Sequence, residues 1–171
     1  SVKCTMVIPT FSVQKAGGDW SNRFGYNQSI GLDFLHKSKK NWVYGISGYF
    51  IFGNDVKDNG VFSNILTKQG YVVNQDGKIA DVRISERGYQ FIAKVGKVFP
   101  LNLSRQNSGL IVTFGAGFME HKMRIETTGN LAPQLGPEYR KGYDKLSNGL
   151  MLSQFIGYLY LSPRKLLNIY A

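Results

Sequence analysis

The stretch FGYNQSIGLDFLHKSKKNWVYGISGYFIFG, residues 24–53, consists of two alternating runs on either side of the charged connection His36-Lys37-Ser38-Lys39-Lys40-Asn41. In the first run Phe24, Tyr26, Ile30, Leu32 and Phe34 share one face, and Gly25, Asn27, Ser29, Gly31 and Asp33 share the other. In the second run Trp42, Tyr44, Ile46, Phe50 and Phe52 oppose Gly45, Ser47, Tyr49 and Gly53. A period of two predicts a β-hairpin. Its broad apolar face is rich in aromatics and its other face is small and polar, which suits strands standing between lipid and a polar lumen.

Working outward from this hairpin, the composition supports the same class. At 171 residues the chain has the length of one domain, 1–171, with enough material for a small closed barrel. Aromatics at 13% together with 20 glycines favour strands whose backbones approach closely. A mean hydropathy of −0.19 is compatible with membrane strands, which turn half their residues to a lumen. No apolar run reaches the length of a spanning helix.

The formal charge of +10 raises the possibility of a nucleic-acid partner. The cations, however, fall mainly in connections (Lys37, Lys39, Lys40, Arg105, Arg140, Lys141, Lys145, Arg164, Lys165) and draw no basic stripe through the aromatics. The reading is therefore solvated loops facing anionic headgroups, with no nucleic acid. Cys4 stands alone, which rules out an internal disulfide or a cysteine zinc site, and Lys3 before it argues against lipidation. No charged-then-apolar leader opens the sequence, which reads as a mature or trimmed chain.

Further strands are predicted over 2–13, 88–99, 109–121 and 149–161, with a seventh beginning after Ser162-Pro163-Arg164-Lys165. Tyr89, Phe91, Ala93 and Val95 alternate with Gln90, Lys94 and Gly96; Leu110, Val112, Phe114, Ala116 and Phe118 alternate with Thr113, Gly115 and Gly117. In 149–161 the facing stays open, because Gln154 interrupts the row Leu150, Leu152, Ile156, Tyr158 and Tyr160. The connections 54–87 and 122–148 are long. The first could hold a small hairpin of 65–73 and 79–84 around the turn Asn74-Gln75-Asp76-Gly77.

Short links alternating with long ones define an up-and-down order. Short links in the periplasm put the N-terminus there and the long loops outside a Gram-negative outer membrane. The expected fold is all-β, an antiparallel up-and-down transmembrane β-barrel of eight strands, with about seven present and the final strand lacking, since bacterial single-chain barrels have even strand numbers. Aromatics sort to two rims. Phe34, Trp42, Tyr44, Phe99, Tyr158 and Tyr160 lie at one, and Phe24, Tyr26, Phe50, Phe52, Tyr89, Phe91 and Phe118 at the other, with Ile30, Ile46, Val95 and Val112 between.

Inside, Asp33, Tyr49, Gln90 and Lys94 are expected to form the polar filling, with Asp33 and Lys94 neutralising each other. A barrel of this size is filled by its side chains, which excludes transport through it. His36 and His121 are the only histidines. Glu120 beside His121 projects to the opposite face of its strand, and neither histidine makes a Ser-His-acid pattern, so no catalytic residue is assigned. No metal or cofactor site is assigned either; Asn54-Asp55 and Asp58-Asn59 read as turns.

The stretches from Gly17-Gly18-Asp19 through Gly53, Glu86-Arg87-Gly88-Tyr89, Lys141-Gly142-Tyr143-Asp144 and Ser153-Gln154-Phe155-Ile156-Gly157-Tyr158 resemble the small outer-membrane β-barrel proteins of the Bacteroidota. The resemblance spans most of the chain, and its motifs are structural. It implies an eighth strand closing on an aromatic residue. It also implies an accessory role beside large outer-membrane assemblies, such as the type IX secretion and gliding machinery. The functional expectation is thus a non-enzymatic integral outer-membrane barrel, in contact with outer-membrane lipid and with a larger protein complex through its wall or long loops. The alternatives are a small barrel enzyme modifying lipid A or phospholipid, and a soluble β-barrel binding an apolar ligand.

Overall fold

The computed structural model describes residues 1–57, 82–102, 106–127, 146–162 and 168–171. The chain is an all-β, antiparallel, up-and-down barrel of seven strands, nearly closed. The strands are β1 (Cys4–Lys15), β2 (Tyr26–Lys37), β3 (Trp42–Gly53), β4 (Val82–Pro100), β5 (Gly109–Thr127), β6 (Ser147–Leu161) and β7 (Asn168–Tyr170), each paired with the next in order.

The opening hairpin is β2 and β3. Its turn is set by local chemistry: Asn41 takes a left-handed backbone (φ 62), the conformation asparagine tolerates better than most residues. Ser38 then closes the turn twice, its N–H donating to the Trp42 carbonyl at 2.8 Å and its Oγ accepting from the Trp42 N–H at 3.1 Å. That turn fixes the register Asp33↔Ser47 and Gly31↔Tyr49, and with it which residues face inward. Pro9 sits on the edge strand β1, opposite Leu32, where a missing ladder donor is tolerated.

β1 lies two residues later than the expected 2–13 and β6 begins two residues before the expected 149, and three further differences change which residues face inward or pair. First, β2 starts at Tyr26, and Phe24 forms only an isolated bridge with Val56. Gly25 donates to the Asp55 carbonyl at 2.8 Å and the Tyr26 N–H to Asp55 Oδ2 at 3.0 Å. A Cβ on Gly25 would collide with the Asp55 carboxylate. This pinch turns Phe24 off the outer face and over the barrel mouth, where it is 2% exposed. The expected outward, membrane-interface position of Phe24 is therefore corrected.

Second, residues 82–87 and 122–127 belong to β4 and β5, not to the long connections. They pair with one another from Val82↔Thr127 to Arg87↔Lys122, so the β4–β5 hairpin rises past the end of β3 at Gly53↔Glu86. The small hairpin expected over 65–73 and 79–84 falls outside the described residues except for 82–84, whose partners are in β5. Third, Lys37 is an inward residue of β2 with no exposed surface rather than part of a solvated turn.

Candidate functional site

The luminal face is built in three layers. In the middle, Asp33 on β2 has no exposed side-chain surface and is held from three other strands, β1, β3 and β4. Lys94 Nζ lies 2.7 Å from its Oδ1, and Thr10 Oγ1 donates to its Oδ2 at 2.6 Å. Tyr49 OH donates to Oδ1 at 2.7 Å, and Ser47 Oγ also donates to Oδ1. Lys94 further donates to Tyr49 OH at 2.7 Å. The carboxylate and the ammonium are thus paired and hydrogen-bonded, the condition under which buried charge is tolerable. Glycine makes this geometry possible at one position. A Cβ on Gly31 would collide with the Gly48 carbonyl and the Tyr49 ring, so the ring can lie across the lumen only over Gly31. Beside this network is a cavity of about 310 Å³ lined by Ser12, Gln14, Ser29, Gln90, Ser153 and Tyr170 among others.

Below it, Leu35, Val43, Val98, Ile111 and Leu159 form an apolar plug, packed by Met6, Ile8, Phe155, Leu161 and Tyr170. Tyr170 stacks on Phe155 at 4.8 Å. Lys37 ties the plug off: its Nζ donates to Ser1 Oγ at 2.9 Å, and to the Val2 carbonyl and Asn107 Oδ1 at 3.2 Å each.

Above it, Ala16, Phe24, Met123 and Ile125 form a second apolar plug under Trp20, which the 3₁₀ turn Gly18–Asn22 carries across the mouth. Phe24, Trp20 and the His121 ring pack together, with centroids 5.2 to 6.3 Å apart. Within this plug Asn27 Nδ2 donates to Glu86 Oε2 at 3.0 Å. Glu86 Oε1, Asn27 Oδ1, Trp20 Nε1 and His121 Nδ1 are buried without a hydrogen-bond partner. The Trp20 indole N–H lies toward the Glu86 carboxylate without reaching hydrogen-bond geometry. Burial pushes the Glu86 carboxyl above the ordinary glutamate range, partly offset by the Asn27 amide.

The outer wall is apolar. Ile30, Leu32, Ile46, Val95, Phe114, Leu150, Leu152 and Ile156 are all exposed. On β4 the outward row runs Arg87, Tyr89, Phe91, Ala93, Val95, Lys97, with charge only at its two ends. Lys97 Nζ lies over the Trp42 ring at 5.5 Å and the Phe99 ring at 5.9 Å; at the other rim Lys15 Nζ lies over Tyr26 at 5.9 Å. Ten residues at about 3.3 Å each, tilted by about 40°, span roughly 25 Å between the Arg87 and Lys97 levels.

Of the residues singled out from the sequence, Asp33, Tyr49 and Lys94 come together in the central network. Gln90 is luminal too, but its Nε2 donates to Met119 Sδ at 3.2 Å, one layer higher. Tyr26, Phe34, Trp42, Tyr44, Tyr89, Phe91 and Phe118 are exposed on the outer face, and Phe50 and Phe52 share that face half-buried. Gln154 is outward and exposed opposite Phe114, which settles the facing of its strand. Thr10 and Ser47 were missed. Ser47 was recoverable, because the turn length places it directly across from Asp33. His36 shares a hydrogen bond with Thr5 Oγ1 at 3.0 Å on the exposed lower rim, well away from His121. Among the described residues no group of three or more metal-binding side chains occurs.

These faces define a class: an antiparallel β-barrel with a plugged polar interior and an apolar exterior. No family model, curated protein or solved structure matches the chain.

Proposed function

We propose that the chain is a non-enzymatic integral barrel of a Gram-negative outer membrane, acting as an accessory or structural subunit of a larger outer-membrane complex. The observation that carries the reading is the outer face, an apolar wall roughly 25 Å tall between Arg87 and Lys97, the height of the apolar band on outer-membrane barrels. Aromatic rings capped by lysines at its rims fit the headgroup level, where the ring is buried and the ammonium reaches water. A soluble barrel gains nothing from such sorting, and exposed apolar surface of this extent otherwise marks an interaction site.

The two apolar plugs argue for a wall or anchor rather than a channel. In the proposed orientation the N-terminus and the Ser38–Asn41 turn face the periplasm, and the raised β4–β5 hairpin projects outside. Surface of that kind suits contact with a partner, as the resemblance to Bacteroidota barrels implies, with a secretion assembly as one candidate.

The experiment is expression of the full protein, membrane fractionation and affinity purification in mild detergent. Expected are resistance to alkaline extraction, heat-modifiable gel mobility and co-purification of a large outer-membrane protein. A soluble monomer obtained without detergent sinks the membrane assignment, and recovery of the barrel alone sinks the subunit assignment. His121→Ala and His36→Ala leave lipid A and phospholipid composition unchanged on this reading; a changed composition favours the lipid-modifying enzyme.

A further inference from the structure

On the outer face of the raised β4–β5 hairpin one level holds two unbalanced cations. The outward pairs, from the top of the described hairpin downward, are Arg83↔Glu126, Ser85↔Arg124, Arg87↔Lys122, Tyr89↔Glu120 and Phe91↔Phe118. At the top Glu126 serves both Arg83, which it faces, and Arg124, whose Nε lies 2.8 Å from its Oε1. Arg87 and Lys122 instead face each other directly, a position in which Cβ atoms stand about 5 Å apart and like charges repel. Arg87 uses one N–H on the Glu86 carbonyl at 2.7 Å. Among the described residues neither cation has a carboxylate within ion-pair distance, and Glu120, one pair lower, sits across from Tyr89. The other rim lysines are placed differently: Lys97 faces Val112 and lies over two rings, and Lys15 lies over Tyr26. Facing cations are stabilised by an anion between them, and a planar guanidinium beside an ammonium suits the oxygens of a phosphate.

Directly below that pair the wall is hollowed. A groove of about 790 Å³ begins at Tyr89, the next outward residue of β4 after Arg87, and runs past Phe50 and Phe91 to Leu32, Ile46 and Ala93. The Phe50 and Tyr89 rings, 5.4 Å apart, form its upper wall. From Arg87 to Ala93 is about 20 Å along the strand at about 3.3 Å per residue, enough for a length of acyl chain. An acidic protein loop would neutralise the cations and leave the groove uncovered. A lipid with a phosphate at its head and acyl chains beneath meets both features at once. The raised hairpin marks the end proposed to face outside, and the lipid of that leaflet is lipid A, a phosphorylated and acylated sugar.

We propose that Arg87, Lys122 and this groove form a binding site for one lipid A molecule. Its phosphate bridges the guanidinium and the ammonium, with Phe52 facing Arg87 from β3 on the other side. One acyl chain lies along Tyr89, Phe91 and Ala93. The site belongs to one sector of the wall, where the facing cations and the groove coincide, and so differs from the general contact of the barrel with surrounding lipid. The inference rests on the membrane-barrel reading and on its orientation.

The test is lipid retention by the full-length protein, purified from its native membrane in mild detergent, washed free of bulk lipid, and read by native mass spectrometry and lipid extraction. Expected is a single lipid A on each barrel, with retention at least about tenfold lower in Lys122→Glu. That substitution sets a carboxylate across from Arg87, so the barrel keeps its heat-modifiable mobility while the lipid is lost. Ala93→Trp fills the groove without altering charge and should lower retention as well, whereas Lys97→Gln leaves it unchanged. Equal retention by the unaltered protein and Lys122→Glu overturns the proposal, as does a loss in Lys97→Gln as large as that in Lys122→Glu. A glycerophospholipid retained in place of lipid A overturns it in favour of the inner leaflet. Alkaline extraction of the same membranes separates the failures: an extracted protein sinks the membrane reading, whereas an integral protein that retains no lipid A sinks only the site.

Discussion

The two ends of the lumen are both stoppered by apolar clusters, yet their buried charges are treated differently. At the lower end Lys37 is fully enclosed, and its ammonium has three oxygen acceptors from Ser1, Val2 and Asn107. At the upper end Glu86 is 1% exposed with one carboxylate oxygen unpartnered, and Asn27, Trp20 and His121 each leave an atom unsatisfied. A buried polar group with partners is roughly neutral or mildly stabilising, whereas one without them bears its full desolvation cost. The lower end also leaves one buried atom unpartnered, the Tyr170 hydroxyl, but the upper end leaves four and so stores more unfavourable free energy. Such storage tends to cluster at functional sites.

The comparison can be broken by substitution, with unfolding in urea from lipid vesicles as the measurement. The layer between the ends sets the scale. Lys94→Met strands the Asp33 carboxylate and should cost about 3–5 kcal/mol, with the double variant Asp33→Asn, Lys94→Met recovering most of it. Full additivity of the two single losses would contradict the pairing. Next, Phe24→Ala and Leu35→Ala should each cost about 2–5 kcal/mol, because each empties a plug; a negligible loss at Phe24 would return that ring to the outer surface.

Smaller and more telling is the contrast in sign. Lys37→Met removes a satisfied donor and should destabilise by about 1–3 kcal/mol. Glu86→Gln should be neutral or stabilising at neutral pH, because the amide carries no charge to desolvate. Equal losses at both sites would erase the difference between the ends.

The smallest effect is the pH profile. The Glu86 carboxyl takes up its proton at higher pH in the fold than in the unfolded chain. The folded state therefore holds more protons between the ordinary glutamate value and the raised one, and its stability falls as pH rises through that window. Below the window the cost is absent. Glu86→Gln should flatten this slope, and an unchanged slope would show that another group produces it.

How much of this was legible in the sequence depended on which solvent each residue faced. Where an apolar exterior bounds one face and a lumen the other, alternation was unambiguous, as in Ile30 to Phe34 against Gly31 and Asp33. The upper extensions were missed because the apolar outer band ends below them. Ser85, Glu86 and Arg87, and likewise Lys122, Arg124 and Glu126, are polar regardless of facing, and Arg124 simply pairs with Glu126 at 2.8 Å along the same strand face. Lys37 looked like a loop lysine because nothing local reveals that Ser1, Val2 and Asn107, distant in sequence, converge on it. Phe24 kept the parity of Tyr26, and only the contact between Gly25 and Asp55 breaks that register.

The strictly consecutive strand order also bears on assembly. Every described pairing joins strands adjacent in the chain, and the β2–β3 hairpin closes through a turn of four residues, 38–41. Bringing β1 to the far side of the sheet at β6 closes a loop of roughly 130 residues, at an entropic cost about 3 kcal/mol above that of such a hairpin. Hairpins should therefore zip first and the circle close last. Until it does, the polar side chains of β1 at Thr10, Ser12 and Gln14 have no enclosed lumen to enter. The last step of folding therefore falls at the N-terminal strand.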